Sequence, residues 1–168
     1  MTVAAADAGV DGILCEKPMA INLADADAML AACEASGTKL AIGHHHRFAP
    51  RNTEARKQIA AGAIGVPHML RMTVGGGLTN NGTHAIDGAR YLLGDPRAEW
   101  VIGQVERRTD RYERREPIED LCMGLVAFEG GARLVLESDM PDGGLNGSAA
   151  RLGGVQVYGT EGVISVGD

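Results

Sequence analysis

Asn80, His84 and Asp87 are spaced four and three residues apart, and Tyr91 follows four further on. On a helix this spacing lines up an amide, an imidazole, a carboxylate and a phenol along one face. Such a face can move protons, because an imidazole titrates near neutral pH and a neighbouring carboxylate can orient it. Gly75-Gly76-Gly77 stands just ahead, where missing side chains let a ligand or another backbone come close. Two readings stay open. The stretch is either an active-site helix presenting a proton-transfer histidine, or an ordinary asparagine-capped helix whose His84 only bonds Asp87. A third reading takes Gly75-x-Gly77 as a dinucleotide loop with Asp95 as the ribose-binding acid. Asn80 at the third glycine position argues against it, as does the lack of an alternating strand–helix series afterwards.

Lys17 is the second candidate. Ile13-Leu14-Cys15 reads as a short apolar strand, and Glu16-Lys17-Pro18 follows it directly. In open α/β sheets ligands bind beyond the carboxyl ends of strands, so Lys17 sits where chemistry is done. Pro18 restricts it to extended backbone. The alternative is a surface Glu–Lys pair before a turn proline. His44-His45-His46 invites a metal, yet consecutive side chains of an extended segment alternate in direction and do not readily converge on one ion. One histidine and Arg47 facing a cleft is the preferred reading. A metal-dependent enzyme using these histidines with His84 is the competing one. Residues 107–117, with five arginines and three acids, read as a charge-balanced solvated loop rather than a phosphate site.

The elements that must position these groups can be traced in order. Residues 2–8 form a short helix ended by Gly9, and residues 13–15 a strand. Asn22 caps a helix with Asp25 in its first turn. Leu23, Ala26, Met29, Leu30 and Cys33 give that helix an apolar stripe, and Gly37 closes it; residues 39–43 form a second strand. This is one edge of a doubly wound sheet. Residues 53–61 form a polar helix. An apolar run, 66–74, leads into the glycine stretch, and the helix after it ends at Gly94-Asp95-Pro96. Strands are expected at 100–108, 121–128, 133–138, 156–158 and 163–166, with Glu129-Gly130-Gly131-Ala132 and Thr160-Glu161-Gly162 as turns. Residues 141–153, rich in glycine, read as a mobile loop. The second part is thus a largely antiparallel sheet flanked by helices.

Composition bounds the function. A chain of 168 residues with 45% hydrophobic and only 4% aromatic residues must build its core from small and aliphatic side chains. A formal charge of −6 argues against general nucleic-acid binding. No apolar run approaches the length of a membrane span, and no signal peptide is visible. Three scattered cysteines without a Cys-x-x-Cys pair suit a reducing compartment, so a cytoplasmic location is expected.

Five motifs occur in order over nearly the whole chain: Cys15-Glu16-Lys17-Pro18, His46-Arg47-Phe48-Ala49-Pro50, Gly62-Ala63-Ile64-Gly65, the central stretch from Gly75 to Asp87, and Gly159-Thr160-Glu161-Gly162. Together they resemble the Gfo/Idh/MocA oxidoreductases, the glucose–fructose oxidoreductase and inositol dehydrogenase family. The resemblance implies an α/β (α+β) fold: residues 1–43 as the end of a Rossmann nucleotide-binding domain, and 44–168 as a substrate and oligomerisation domain with an open sheet, truncated at its end. The glycine-rich dinucleotide loop is expected upstream, so the chain alone is expected to be inactive. It further implies NAD or NADP as cofactor, bound by Glu16, Lys17, Pro18 and Arg47, and a small sugar, inositol or polyol substrate bound by Lys17, Asn80, His84 and Asp87. Lys17, His84 and Asn80 would be catalytic: Lys17 bonding the reacting hydroxyl, His84 exchanging its proton, with Pro18 often cis. No metal is implied. Asn80 departs from the family's usual aspartate and cannot take a proton, which shifts that task to His84 or Lys17. A homo-oligomer through the sheet is expected, without nucleic acid or membrane partners. The alternative is a non-catalytic oligomerisation or interaction module derived from the family.

Overall fold

A computed structural model of the chain describes residues 1–113, 115–138 and 154–167. Two compact units result, Met1–His45 and His46–Asp168. The first contains α1 (Thr2–Asp7), β1 (Gly12–Cys15), α2 (Leu23–Ser36) and β2 (Lys39–Ile42). β1 and β2 pair in parallel, Gly12 opposite Lys39 and Cys15 opposite Ile42. The Asn22 side chain accepts the Asp25 N–H at 2.8 Å, capping α2, and Gly37 closes it at φ 73°. Met29 and Cys33 of the expected stripe are buried, whereas Leu23 and Leu30 are exposed. Within this unit α2 rests on α1 and β2, which cover less than the full width of its apolar stripe.

The second unit opens with a 3-10 turn, His45–Phe48, shared with the end of the first, and α3 (Pro50–Ala60). α3 starts three residues earlier than its polar pattern suggests, because Pro50 occupies the first helical position, where its missing N–H costs nothing. Then come β3 (Pro67–Val74), a π-helical turn (Leu78–Gly82), α4 (Thr83–Leu92) and β4 (Ala98–Glu106). A short ribbon of β5 (Tyr112–Glu113) and β6 (Glu116–Pro117) follows, then β7 (Leu121–Phe128), β8 (Arg133–Ser138), β9 (Val155–Gly159) and β10 (Val163–Val166). The six-stranded sheet runs in the order β10-β9-β3-β8-β7-β4. Its pairs are antiparallel except β3 with β8, which are parallel.

Period-two alternation sends Leu70, Met72, Val74, Leu134, Leu136, Val126, Phe128, Val155 and Val157 to one face, where Ala55 and Ile59 of α3 and Ala85, Ala89 and Leu92 of α4 complete the core. Trp100, Ile102 and Met123 are exposed on the other face. The arginine-rich segment is more ordered than a plain loop. It contains the β5–β6 ribbon, and the Asp120 carboxylate accepts the Arg108 and Thr109 N–H groups and the Thr109 hydroxyl. These donors, the Thr109 hydroxyl foremost, hold Asp120 below the usual carboxylate range. Residues 141–153, read above as a loop, lie outside the described residues.

Two glycine turns lock together at the start of β3. Thr160 N–H donates to the Val66 carbonyl at 3.1 Å and Glu161 N–H to the Ile64 carbonyl at 3.0 Å. Val66 N–H in turn donates to the Thr160 hydroxyl at 3.0 Å. Gly65, at φ 69°, leaves room for Thr160, and Gly159 leaves room for the Ile64 carbonyl. The motif after α3 and the motif between β9 and β10 are thus two halves of one contact.

Candidate active site

β3 runs out into Gly75-Gly76-Gly77. Gly76 and Gly77 have φ of 83° and 85°, which an L side chain resists. What comes close to them belongs to this chain: a Cβ on Gly76 would stand 2.9 Å from the Asn81 amide nitrogen, and one on Gly77 would stand 3.2 Å from Ile118. This filling of the turn contradicts the dinucleotide-loop reading. Asn81 also donates to the Gly75 carbonyl at 2.6 Å. The buried Glu119 carboxylate accepts the Leu78 N–H, fixing the start of the π-helical turn, and lies 3.4 Å from the Ser138 hydroxyl that donates to it.

The π-helical turn changes the face expected from spacing. Gly82 N–H reaches back five residues to the Gly77 carbonyl at 3.2 Å, and α4 proper begins only at Thr83. Asn80 therefore precedes the helix instead of standing one α-turn below His84, and its carbonyl accepts the Thr83 hydroxyl at 3.0 Å. His84 sits in the first turn of α4 on the wall of a cavity of about 500 Å³. Asn81 lines that cavity with it, together with His46, Arg51 and Asn52. Met72 and Val155 contribute apolar wall from the sheet.

His46 stacks on His84, ring centroids 4.1 Å apart and planes 12° from parallel. The 3-10 turn that carries His46 is closed by the Ala49 N–H, 3.1 Å from the His46 carbonyl, and by the Asn52 amide, 2.7 Å from the same oxygen. Arg47 is tied to α4. Its Nε lies 2.9 and 2.8 Å from the two Asp87 oxygens, and a terminal nitrogen lies 2.7 Å from Asp87 and 2.7 Å from Asp95. Arg56 joins Asp95 at 3.1 Å and stacks over Tyr91 at 4.3 Å. Arg47 and Asp87, expected at cofactor and substrate respectively, are thus bonded to each other. The Asp87 hydrogen bond foremost raises the Arg47 guanidinium further above its already high range, against burial.

Burial alone would push Asp95 up, but the hydrogen bonds and charges of Arg47 and Arg56 outweigh it and hold the carboxyl below its usual range. A carboxyl depressed by folding adds stability above its unfolded pKa, near 4, and that stability is lost as pH falls through the lower folded value. With the Asp95 side chain 35% exposed, the expected contribution is below about 1 kcal/mol. Thermal melts below pH 4 should show a smaller acid-induced drop in Asp95→Asn than in the parent. Asn suits this position because residue 95 has φ 65° and asparagine tolerates the left-handed region. An identical acid slope in both proteins would remove the assignment.

The first unit holds the remaining candidates. Glu16-Lys17-Pro18 leaves the carboxyl end of β1, and the Lys17–Pro18 peptide is cis. Gly43 N–H donates to the Cys15 carbonyl at 2.8 Å, so the ends of β1 and β2 lie side by side. A Cβ on Gly43 would stand 3.3 Å from a Glu16 carboxylate oxygen. A bare backbone flanked by an acid and a lysine at parallel strand ends suits the edge of a dinucleotide. Among the described residues no three His, Cys, Asp or Glu side chains are arranged to hold a metal ion. No helix among them is long and apolar enough to cross a membrane.

Asn81 and Asn52 escaped sequence reasoning. Asn81 could have been flagged by its position beside Asn80 in the glycine stretch, whereas nothing local marks Asn52.

A parallel βαβ edge followed by an α/β unit with a mainly antiparallel sheet defines the class. Residues 1–44 match the oxidoreductase family's NAD-binding Rossmann fold, and residues 56–168 match its C-terminal alpha/beta domain. The chain belongs to this family, the Gfo/Idh/MocA oxidoreductases. It is 32% identical over 150 residues to D-apiose dehydrogenase of Paraburkholderia graminis, covering 79% of this chain and 38% of that protein. Against the myo-inositol 2-dehydrogenase of Thermotoga maritima identity is 29%, covering 75% of this chain and 42% of that protein. The aldose-aldose oxidoreductase of Caulobacter crescentus, solved with glycerol, aligns at a TM-score of 0.75 and 31% identity, covering 98% of this chain and 51% of that one. The chain spans less than half the length of the two dehydrogenases and about half that of the aldose-aldose oxidoreductase.

Proposed function

We propose that a protein carrying this chain transfers hydride between NAD or NADP and a carbon of a sugar, inositol or related polyol. The observation that carries the reading is His84 in the first turn of α4, on the wall of a sugar-sized cavity. The dehydrogenase and reductase names of the relatives support it. Bound nicotinamide would supply the hydride chemistry. His84 takes the hydroxyl proton in the oxidative direction and returns it in the reductive one. Lys17 donates a hydrogen bond to the reacting oxygen and stabilises charge developing there. Glu16 and Pro18 shape the strand end that holds the cofactor. Asn81, which lines the cavity where Asn80 was expected, holds substrate hydroxyls without taking protons.

The test is a chimera in which this chain follows the nucleotide-binding half of D-apiose dehydrogenase, assayed for NADH and NADPH formation against aldoses, inositols and polyols. Saturable turnover with at least one of them is the expected result. A folded chimera that binds NADH but turns over none of them would remove the reading. The exposed sheet face around Trp100, Ile102 and Met123 is assigned to a second copy of the chain. Sedimentation as a monomer at micromolar concentration would withdraw that assignment.

A further inference from the structure

We propose that Gly88 is a specificity-determining residue: the methyl it lacks leaves a recess in the cavity wall, and that recess takes a methyl group carried by the sugar or polyol substrate. The word substrate rests on the hydride-transfer reading above; the recess and what it binds do not.

Gly88 lies in the interior of α4. A glycine there makes a helix less stable than an alanine would, so the position asks for a reason. Backbone conformation supplies none, because the φ of Gly88 lies outside the left-handed region that favours glycine. Close packing supplies none either. Among the described residues, an added Cβ would have only the Met72 methyl carbon within 4 Å, at an ordinary van der Waals distance of 3.9 Å. An alanine would therefore fit. The space its methyl would fill belongs to the cavity, whose wall includes Gly88. The wall around that point is apolar. Met72 pairs with Val155, and Val155 with Val166, so three adjacent strands present one apolar row to the cavity. Ala85 and Leu92 of α4 line it beside Gly88. These side chains offer water no strong hydrogen bond, whereas a methyl group gains contacts against them. A polar end lies one turn away. His84 precedes Gly88 by four residues, roughly 6 Å along the helix axis, which is about the reach of one sugar ring. With one ring hydroxyl at His84, the far side of the ring meets Gly88 and Met72. A methyl there sits at contact distance. A hydroxymethyl on the same carbon must bury its hydroxyl against apolar side chains, which weakens binding.

The experiment compares the 168-residue chain with Gly88→Ala, with no cofactor present. Without ligand, Gly88→Ala should melt about 2–4 °C higher than the parent, because the helix gains and nothing is displaced. A melt no higher than the parent's would mean that the fold itself needs the glycine, and would overturn the proposal. Binding is then read by NMR on chains labelled at the methionine methyls, with Met72→Leu identifying the Met72 signal. The probes are 6-deoxyhexoses of both the D and L series beside the hexoses they derive from, and methyl glycosides beside the free sugars. At least one methyl-bearing sugar should shift the Met72 signal and bind at least about fourfold more tightly than its hydroxylated parent, the value of one buried methyl. Gly88→Ala should abolish that preference. The two sets of probes separate a methyl on a ring carbon from a glycosidic one. A Met72 signal that no sugar moves would overturn the proposal, and so would a preference that survives in Gly88→Ala. Either failure leaves the hydride-transfer reading standing, because that reading is judged by turnover of the chimera.

Discussion

Replacing His84 with alanine should lower the turnover of the chimera by about 10²- to 10⁴-fold while leaving KM within a few-fold. The split follows from the geometry. His84 is one of several groups on the cavity wall, and Asn81 and Arg51 remain to hold a substrate. What disappears is the group that accepts the hydroxyl proton in the transition state. The loss should shrink as pH rises, because solvent base can then take the proton instead. His68→Ala supplies the control: this histidine lies exposed on β3 and is absent from the cavity wall, so its loss should leave the rate unchanged. The measurement is the steady-state rate of nicotinamide reduction across pH. A His84→Ala rate within threefold of the parent at neutral pH would take the proton-transfer role away from this residue.

Gly159→Ala should be among the most damaging single-methyl additions to the fold. An added Cβ would sit 2.0 Å from the Ile64 carbonyl oxygen and 2.9 Å from the Ile64 side chain. That carbonyl is not at liberty to move, since it accepts the Glu161 N–H at 3.0 Å, and Ile64 is buried at 2% exposure. Either the bond between the two turns breaks or β9 shifts against β3. Forcing a methyl into so tight a site costs about 3 kcal/mol, which for a chain of this length lowers Tm by roughly 6–12 °C. Gly130→Ala is the comparison. Its φ is 86° but nothing lies within 4 Å of the added Cβ, so only the left-handed backbone penalty of about 1–2 kcal/mol applies. Thermal unfolding by circular dichroism reads both. If Gly159→Ala melts no lower than Gly130→Ala, the interlocked turns are not what holds this edge of the sheet.

Much of the architecture was legible because it is set by neighbours in sequence. The alternating pattern at β7, β8 and β10 marked their limits residue for residue, since one buried face forces a period of two. Asn22 and Gly37 announced the ends of α2 through capping chemistry that acts over three residues. The motif order was enough to place the chain in its family, and Lys17 and His84 stand out by their positions after a strand and in a helix's first turn.

The site needed the fold. A π-helical turn inserts one extra residue ahead of α4, so Asn81 reaches the cavity wall beside His84, where a regular helix would have aligned Asn80. Arg47 and Asp87 are 40 residues apart, and their pairing exists because the turn after β2 packs along α4. His46 meets His84 for the same reason, and Gly159 meets Ile64 because β9 pairs with β3. Capping, periodicity and turn chemistry act within a few residues and are written in the chain by itself. Which of those local pieces touch is decided by strand register and helix packing across tens of residues, and only the tertiary structure settles that.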